Sequence, residues 1–353
     1  MERKKTKAIT IGKIGIGGSH PVAIQSMLCS KNGDFEAALA QTEALRAAGC
    51  DLVRLAVIDK DSLSVVEKLK KRDIMPLVAD IQFDYRLAMA AIDAGIDKVR
   101  LNPGNIGSQE RVFQVVEKAK AAGVPIRVGV NAGSVSKALL EKYKKPCAEA
   151  LVEEALGQVR LLEECGFYDI AISLKASSVP MMIESYRLMS QKVEYPLHLG
   201  VTEAGTLYSG TVKSAVGIGT LLSEGIGDTI RVSLTADPVE EIRAAKEILA
   251  ALEIREDCAK LVSCPTCARC SVDLIGIANQ VTERLSTITK PVKIAVMGCV
   301  VNGPGEARDS DIGITGAKGE GLIYKKGEII RRVPEAEIVT ALFEELNKMG
   351  ALS

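Results

Sequence analysis

Between residue 20 and about residue 252, short runs rich in Val, Ile and Leu alternate with longer segments of helical periodicity, and this repetition restricts the fold more than any other feature. Eight runs read as strands: VAIQSM (22–27), DLVRLAV (51–57), PLVADI (76–81), KVRLNP (98–103), IRVGVN (126–131), IAISLKA (170–176), LHLGVTE (197–203) and TIRVSLT (229–235). Gly49, Gly95, Gly123, Gly166 and Gly225 each fall a few residues before the next strand, where left-handed helix caps belong. The last intervening helix opens on Asp237 and Pro238, an acidic cap and a residue suited to the first turn. Val239, Ile242, Leu249 and Leu252 then share one apolar face. Eight strand-plus-helix units in about 235 residues predict an α/β fold built on a (β/α)8 TIM barrel, with a doubly wound open sheet as the competing arrangement.

Polar residues inside these runs favour the barrel. Parallel strands buried on both faces should read as nearly unbroken aliphatic runs, yet these carry Gln25, Arg54, Asp80, Arg100, Asn102, Arg127, Asn131, Lys175, Glu203, Arg231 and Ser233. Burying so many polar groups without purpose is costly. At the C-terminal ends of barrel strands they converge on one mouth, where barrel enzymes keep their sites. Internal pairing of Arg with carboxylates is the alternative use for some of them. Arg54, Arg100, Arg127, Lys175 and Arg231 supply five cations against Asp80 and Glu203, so the mouth is expected to be cationic and its ligand anionic. Guanidinium forks grip phosphate oxygens in pairs, and five such groups exceed what one carboxylate needs. A ligand the size of a diphosphate follows.

That cationic mouth has to be local, because Lys plus Arg and Asp plus Glu balance at 45 each and no global field favours nucleic acid or an anionic membrane. The basic opening MERKKTKAITIGKIGIGGSH lacks the continuous apolar core of a secretion signal, being interrupted by Lys13 and several glycines. No stretch approaches the ~18–20 apolar residues that span a bilayer, and a cytoplasmic location is expected. Nine cysteines in such a chain point to metal or redox chemistry rather than to a disulfide framework. The glycine runs GKIGIGG (12–18) and GIGT (217–220) complete no nucleotide-loop pattern and read as turns and packing. His20 and His198, the only histidines, read as core or surface residues.

Past LEIRED the texture changes. SCPTCARC brings Cys264, Cys267 and Cys270 at two-residue spacing, and Cys299 follows 29 residues later in VMGCVVNGPGE. A C-x2-C turn puts two thiolates on one metal, and a cysteine ending the strand VKIAVM can close the site from across the fold. Three donor sets stay open. Cys264, Cys267, Cys270 and Cys299 could form an all-thiolate zinc site or a 4Fe-4S site. Alternatively Cys264, Cys267 and Cys299 could act with Glu306, seven residues beyond Cys299, leaving a cluster with one labile oxygen ligand.

ADIQFDYR, RLNPGNIG, RVGVNAGS, LHLGVTEAG, LSEGIGDTIRVSLTADPVEE, CPTCAR and GCVVNGPGEA together closely resemble the bacterial 4-hydroxy-3-methylbut-2-enyl diphosphate synthase family of the methylerythritol phosphate route, nearly end to end. The resemblance implies a TIM-barrel substrate-binding domain over 1–252 and a smaller α/β 4Fe-4S cluster domain over 253–353. It implies reductive opening of 2-C-methyl-D-erythritol 2,4-cyclodiphosphate, with electrons entering singly from flavodoxin or ferredoxin and a hydroxyl leaving as water. By resemblance, Cys264, Cys267, Cys299 and Glu306 hold the cluster, while Arg54, Arg100, Arg127, Asn131, Lys175, Arg231 and Ser233 hold the diphosphate, with Asp80 and Gln82 beside them. Glu306 and Glu203 are the expected catalytic residues, Glu306 as the labile ligand and Glu203 as proton donor. A head-to-tail homodimer is also implied.

Three positions depart from the family pattern. Gln82 stands where ADIHF is usual, so an amide that bonds but does not titrate replaces an imidazole. Cys270 replaces a different residue and is expected to be a bystander near the cluster. Cys29, in QSMLCS where QSMTNT is common, reads as a packed thiol at the barrel mouth. In the smaller domain, a helix at 271–286, strands near 292–297, 311–315, 321–325 and 328–332, and a final helix burying Ile338, Leu342 and Leu346 are expected. Two other classes of function compete: a zinc-stabilised barrel acting on phosphorylated substrates without redox, and an electron carrier fused to a vestigial barrel.

Overall fold

A computed structural model describes residues 3–255, 259–285, 288, 290–301, 305, 308–317 and 319–352. The chain divides into two compact units, Met1–Ile254 and Arg255–Ser353.

The first unit opens with an antiparallel hairpin, β1 (Ile9–Ile11) and β2 (Ile14–Ile16), which the sequence pattern did not reveal. Eight further strands form a ring: β3 (Ala23–Met27), β4 (Leu52–Ala56), β5 (Leu77–Asp80), β6 (Lys98–Leu101), β7 (Ile126–Asn131), β8 (Ile170–Lys175), β9 (His198–Leu199) and β10 (Thr229–Ile230). The hairpin isoleucines pack on Ala23, Leu52 and Ala171, at or next to the starts of β3, β4 and β8, and so seal one end of the ring. Neighbours pair in parallel from β3 through β8, β10 joins β9 to β3, and a bridge between Ile172 and Leu197 closes the circle. Closure rules out the open sheet and gives the TIM barrel its two distinct ends. All five expected cap glycines take left-handed φ.

Several strands are shorter than their apolar runs. β6 stops at Leu101 because Pro103 opens a one-turn helix, Pro103–Ile106. Beyond β9, Glu203 takes a left-handed φ of 52° and the chain leaves the ladder. Beyond β10, the Arg231 N–H still reaches the Leu199 carbonyl, but the Leu234 N–H turns to the carboxylate of Glu241 instead of a neighbouring strand.

The second unit is a five-stranded sheet in sequence order: β11 (Lys260–Ser263), β12 (Lys293–Met297), β13 (Ile312–Ala317), β14 (Glu320–Lys325) and β15 (Glu328–Pro334). The first three strands run parallel and the last three are joined as antiparallel neighbours. Helices Leu274–Arg284 and Ile338–Lys348 lay Leu274, Ile277, Val281, Ile338, Leu342 and Leu346 into one core with Ile294, Val296, Ile312 and Ile314. Four of the strands match the expected ones. β11, only four residues long, was not foreseen.

Candidate functional site

The barrel interior toward the C-terminal ends of its strands is lined by cations on fixed supports. Asp80, ending β5, receives Arg100 Nη1 at 3.0 Å and faces Arg54 Nε at 3.7 Å. Burial pushes this carboxyl up, yet the charges of Arg54, Arg100 and Arg127 prevail and hold it below the usual aspartate range. Arg100 also donates to the Gly129 carbonyl at 2.9 Å. A side chain at position 129 would come within 2.6 Å of Arg100 Nε, so only glycine lets the guanidinium lie flat on β7. Gly200 does the same for Lys175, whose Nζ lies 3.0 Å from where a Cβ would stand. Arg54 is buried and turns Nε and Nη2 onto Met27 Sδ. Burial, reinforced by Arg231 and Arg100, brings its pKa down to about 10 against the pull of Asp80.

Arg231 is held from outside the barrel ring. Glu241, buried on the helix Pro238–Ala251, accepts Arg231 Nε at 3.3 Å and Nη2 at 3.2 Å, Ser26 Oγ at 2.8 Å and the Leu234 N–H at 3.1 Å. Arg127 and Lys175 are buried without an ion pair among the described residues, and Arg127 Nε and Nη1 have no hydrogen-bond partner. Desolvation, with the neighbouring arginines, presses the Lys175 ammonium toward its neutral form. Asn131 ends β7, and Ser233 and Gln82 are half-buried just past their strands. Glu203 is exposed, in the left-handed backbone conformation that non-glycine residues adopt at a cost of roughly 1–2 kcal/mol.

The structure corrects two expectations here. Glu203 does not join the buried charge balance, in which Glu241 is the second carboxylate. Cys29 is exposed rather than packed, its Sγ receiving Gln41 Nε2 at 3.0 Å. His198 is a core residue and His20 an exposed one, as read.

In the second unit, Cys264 follows β11 and Cys299 lies two residues past β12, so parallel pairing of Ser263 with Val296 puts both at the same sheet end. The Gly298 N–H donates to Cys264 Sγ at 3.3 Å. Cys267 and Cys270 belong to one turn, with Cys270 N–H on the Cys267 carbonyl. The Cys267 thiol is drawn below its ordinary range by the Arg269 backbone N–H and then by its guanidinium, whose charge also reaches Cys299 and Cys264. Cys270 turns instead to the Val272 carbonyl at 3.2 Å and packs against Gly298. Among the described residues no three His, Cys, Asp or Glu side chains gather closely enough to hold a single metal ion. Glu306 lies outside the described residues.

Residues 6–246 match the description GcpE TIM-barrel domain, and residues 260–348 match GcpE protein C-terminal domain. The chain belongs to the GcpE family. A relative from Clostridium perfringens is 57% identical over 344 residues, covering 98% of this chain and 99% of its own. One from Brevibacillus brevis is 54% identical over 349 residues, covering 99% and 97%. Both are named 4-hydroxy-3-methylbut-2-en-1-yl diphosphate synthase (flavodoxin). A dihydropteroate synthase structure from Yersinia pestis superposes with a TM-score of 0.50 at 13% identity over 70% of this chain and 97% of that one, a likeness of fold alone.

Two side chains of this GcpE barrel escaped the sequence reading. Lys98 heads β6 two residues before Arg100 and so shares its face, a signal that alternation alone carried. Glu241 is a charge on the apolar face of its helix, beside Ile242 and Ala245, and that misplacement was its signal.

Proposed function

We propose that this chain is a 4-hydroxy-3-methylbut-2-enyl diphosphate synthase, which opens 2-C-methyl-D-erythritol 2,4-cyclodiphosphate reductively and releases a hydroxyl as water. The observation that carries the reading is the cup of Arg54, Arg100, Arg127, Lys175 and Arg231, balanced among the described residues by Asp80 and Glu241, in a chain of this family. In this reading the five cations, with Asn131 and Ser233, take the phosphate oxygens, and Arg127 gains the partners its buried nitrogens lack. Asp80 and Glu241 hold guanidiniums in place before the ligand arrives, so little reorganisation is left for the reaction itself. Gln82 bonds the substrate but moves no proton. Glu203, on its constrained backbone, delivers the proton to the leaving hydroxyl.

Cys264, Cys267 and Cys299, with Glu306, are proposed to hold an iron–sulfur cluster of the 4Fe-4S type. The donor set suits it: three soft sulfurs, one accepting a backbone N–H and one with a depressed pKa, all within the field of Arg269. Such a cluster supplies electrons singly when bound. Flavodoxin, or ferredoxin in its place, is the proposed donor, and two copies of the chain the working assembly. No described helix is long and apolar enough to cross a membrane, and the cytoplasm is the proposed location. The test is anaerobic turnover of the cyclodiphosphate by chemically reduced enzyme. The linear hydroxy-alkenyl diphosphate is the expected product, and its absence from brown, iron- and sulfide-loaded protein overturns the reading.

A further inference from the structure

Beneath the cup the barrel contains a lysine to which the proposed reaction gives no task. Lys98, on β6, is fully buried, and its one partner among the described residues is the uncharged amide oxygen of Gln25 on β3, at 3.2 Å. The charges that reach it are those of Arg127 on β7 and Arg54 on β4, and its own reaches His198 on β9. The same barrel interior also carries Asp80 on β5, Arg100 on β6, Lys175 and the Tyr186-bonded backbone of β8, and, just past β10, Arg231 with Glu241 behind it. Neither carboxylate is available to Lys98: Asp80 is taken by Arg54 and Arg100, Glu241 by Arg231, Ser26 and the Leu234 N–H. Gln25 Nε2, Arg127 Nε and Nη1 and His198 Nε2 are buried without hydrogen-bond partners among the described residues, so this interior holds several unmatched polar atoms.

An ammonium kept there in the empty protein would be a buried, unpaired charge among like charges, among the costliest arrangements a core can contain. An anion seated on Arg100 and Arg127 reverses the local field one strand-step away, because Lys98 lies two residues before Arg100 on the same face.

Resting on the proposed substrate, we propose that Lys98 is the adjustable charge of the barrel: neutral while the cup is empty, protonated once a diphosphate is seated, so that binding draws a proton from solvent into the interior. Desolvation, then Arg127 and Arg54, press the lysine in the same direction in the empty protein. The acidic protons of a cyclic diphosphate are lost far below neutral pH, so the ligand is not the proton's destination. Lys175, which is itself proposed to meet the phosphate oxygens, and His198 are the other titratable groups here. Burial and the charges of Arg127 and Lys175 also keep His198 neutral, and its Nδ1 is engaged with Thr229 Oγ1.

The test is calorimetric titration of anaerobic, cluster-loaded enzyme with 2-C-methyl-D-erythritol 2,4-cyclodiphosphate in buffers of different ionisation enthalpy, which counts protons taken up on binding. The wild type and H198Q should take up about one proton per site more than K98M and K98Q, and their affinity should weaken by up to roughly tenfold more per pH unit as pH rises between the empty and loaded Lys98 pKa values. K98M, and K98Q with its amide still offered to Gln25, should bind with that proton missing from the uptake and a correspondingly shallower pH profile. Wild-type binding without proton exchange overturns the inference, as does uptake that is undiminished in K98M and K98Q or vanishes in H198Q. No binding by the wild type overturns the functional reading itself and takes this inference with it.

Discussion

Replacing Asp80 by Asn keeps the shape of the side chain and removes the charge on which two guanidiniums rest. The carboxylate stands 3.0 Å from Arg100 and 3.7 Å from Arg54, all three groups being largely shielded from water. At an effective dielectric of 20 each contact carries on the order of 5 kcal/mol of Coulomb attraction. The carboxylate's own desolvation offsets much of this, and deleting one partner of such a pair leaves a net loss of about 3–5 kcal/mol. Asp80→Asn should therefore lower the urea midpoint of the barrel unit by that equivalent with an unchanged denaturant slope. The pH dependence separates this account from a packing defect. Because the folded carboxyl binds its proton less readily than the unfolded one, its contribution is complete above the ordinary aspartate value of ~3.9 and fades only as pH falls through the lower folded value. The wild-type-to-variant gap should thus stay flat from about pH 8 to about pH 5. A gap that closes within that window, or one below about 1 kcal/mol, refutes the argument. Inorganic pyrophosphate should restore about 2.7 kcal/mol when present at ~100 times its Kd, by mass action on the folded state.

Other consequences come from the same geometry. Glu241→Ala leaves the Leu234 N–H and Arg231 without their acceptor, and should cost about 3–5 kcal/mol in denaturation and raise the KM for the cyclodiphosphate more than it lowers kcat. Glu203→Gln should lower kcat by about 100-fold or more with KM little changed in steady-state assays, the pattern of a lost proton donor. Cys264→Ser, Cys267→Ser and Cys299→Ser should each deplete iron and acid-labile sulfide in anaerobically purified protein. Cys270→Ser should retain both, since its thiol faces the Val272 carbonyl.

The barrel was readable because its repetition is coarse: eight aliphatic runs separated by capped helices survive errors of two residues at either end. The cup was readable for a different reason, since Arg54, Arg100, Arg127 and Arg231 break runs that should otherwise be apolar. What stayed hidden depends on contacts between distant residues. Lys98 looks like the polar start of a strand until β6 is seen to place it on the inner face with Arg100. Glu241 looks like a first-turn acid suited to the helix dipole until its carboxylate is found on Ser26, more than 200 residues away. The exposure of Cys29 depends on a side chain of the following helix, Gln41, which no spacing rule supplies.

Lys98 and Glu241 also change how the cup's charge should be understood. Counting only mouth residues, five cations against two anions look like a simple attractive field. With the interior included, the carboxylates are assigned: Asp80 fixes Arg54 and Arg100, Glu241 fixes Arg231, and Arg127, Lys175 and Lys98 have no ion pair among the described residues. The paired arginines have their positions set before any ligand arrives, and the unpaired Arg127 carries repulsion that a ligand would relieve. Relief of that repulsion is then one contribution to affinity for a diphosphate. It follows that variants removing an unpaired cation, such as Arg127→Met, should stabilise the empty barrel while weakening substrate binding, the reverse of Asp80→Asn. Opposite signs for these two substitutions in one denaturation experiment would separate the cations that await a ligand from those already held.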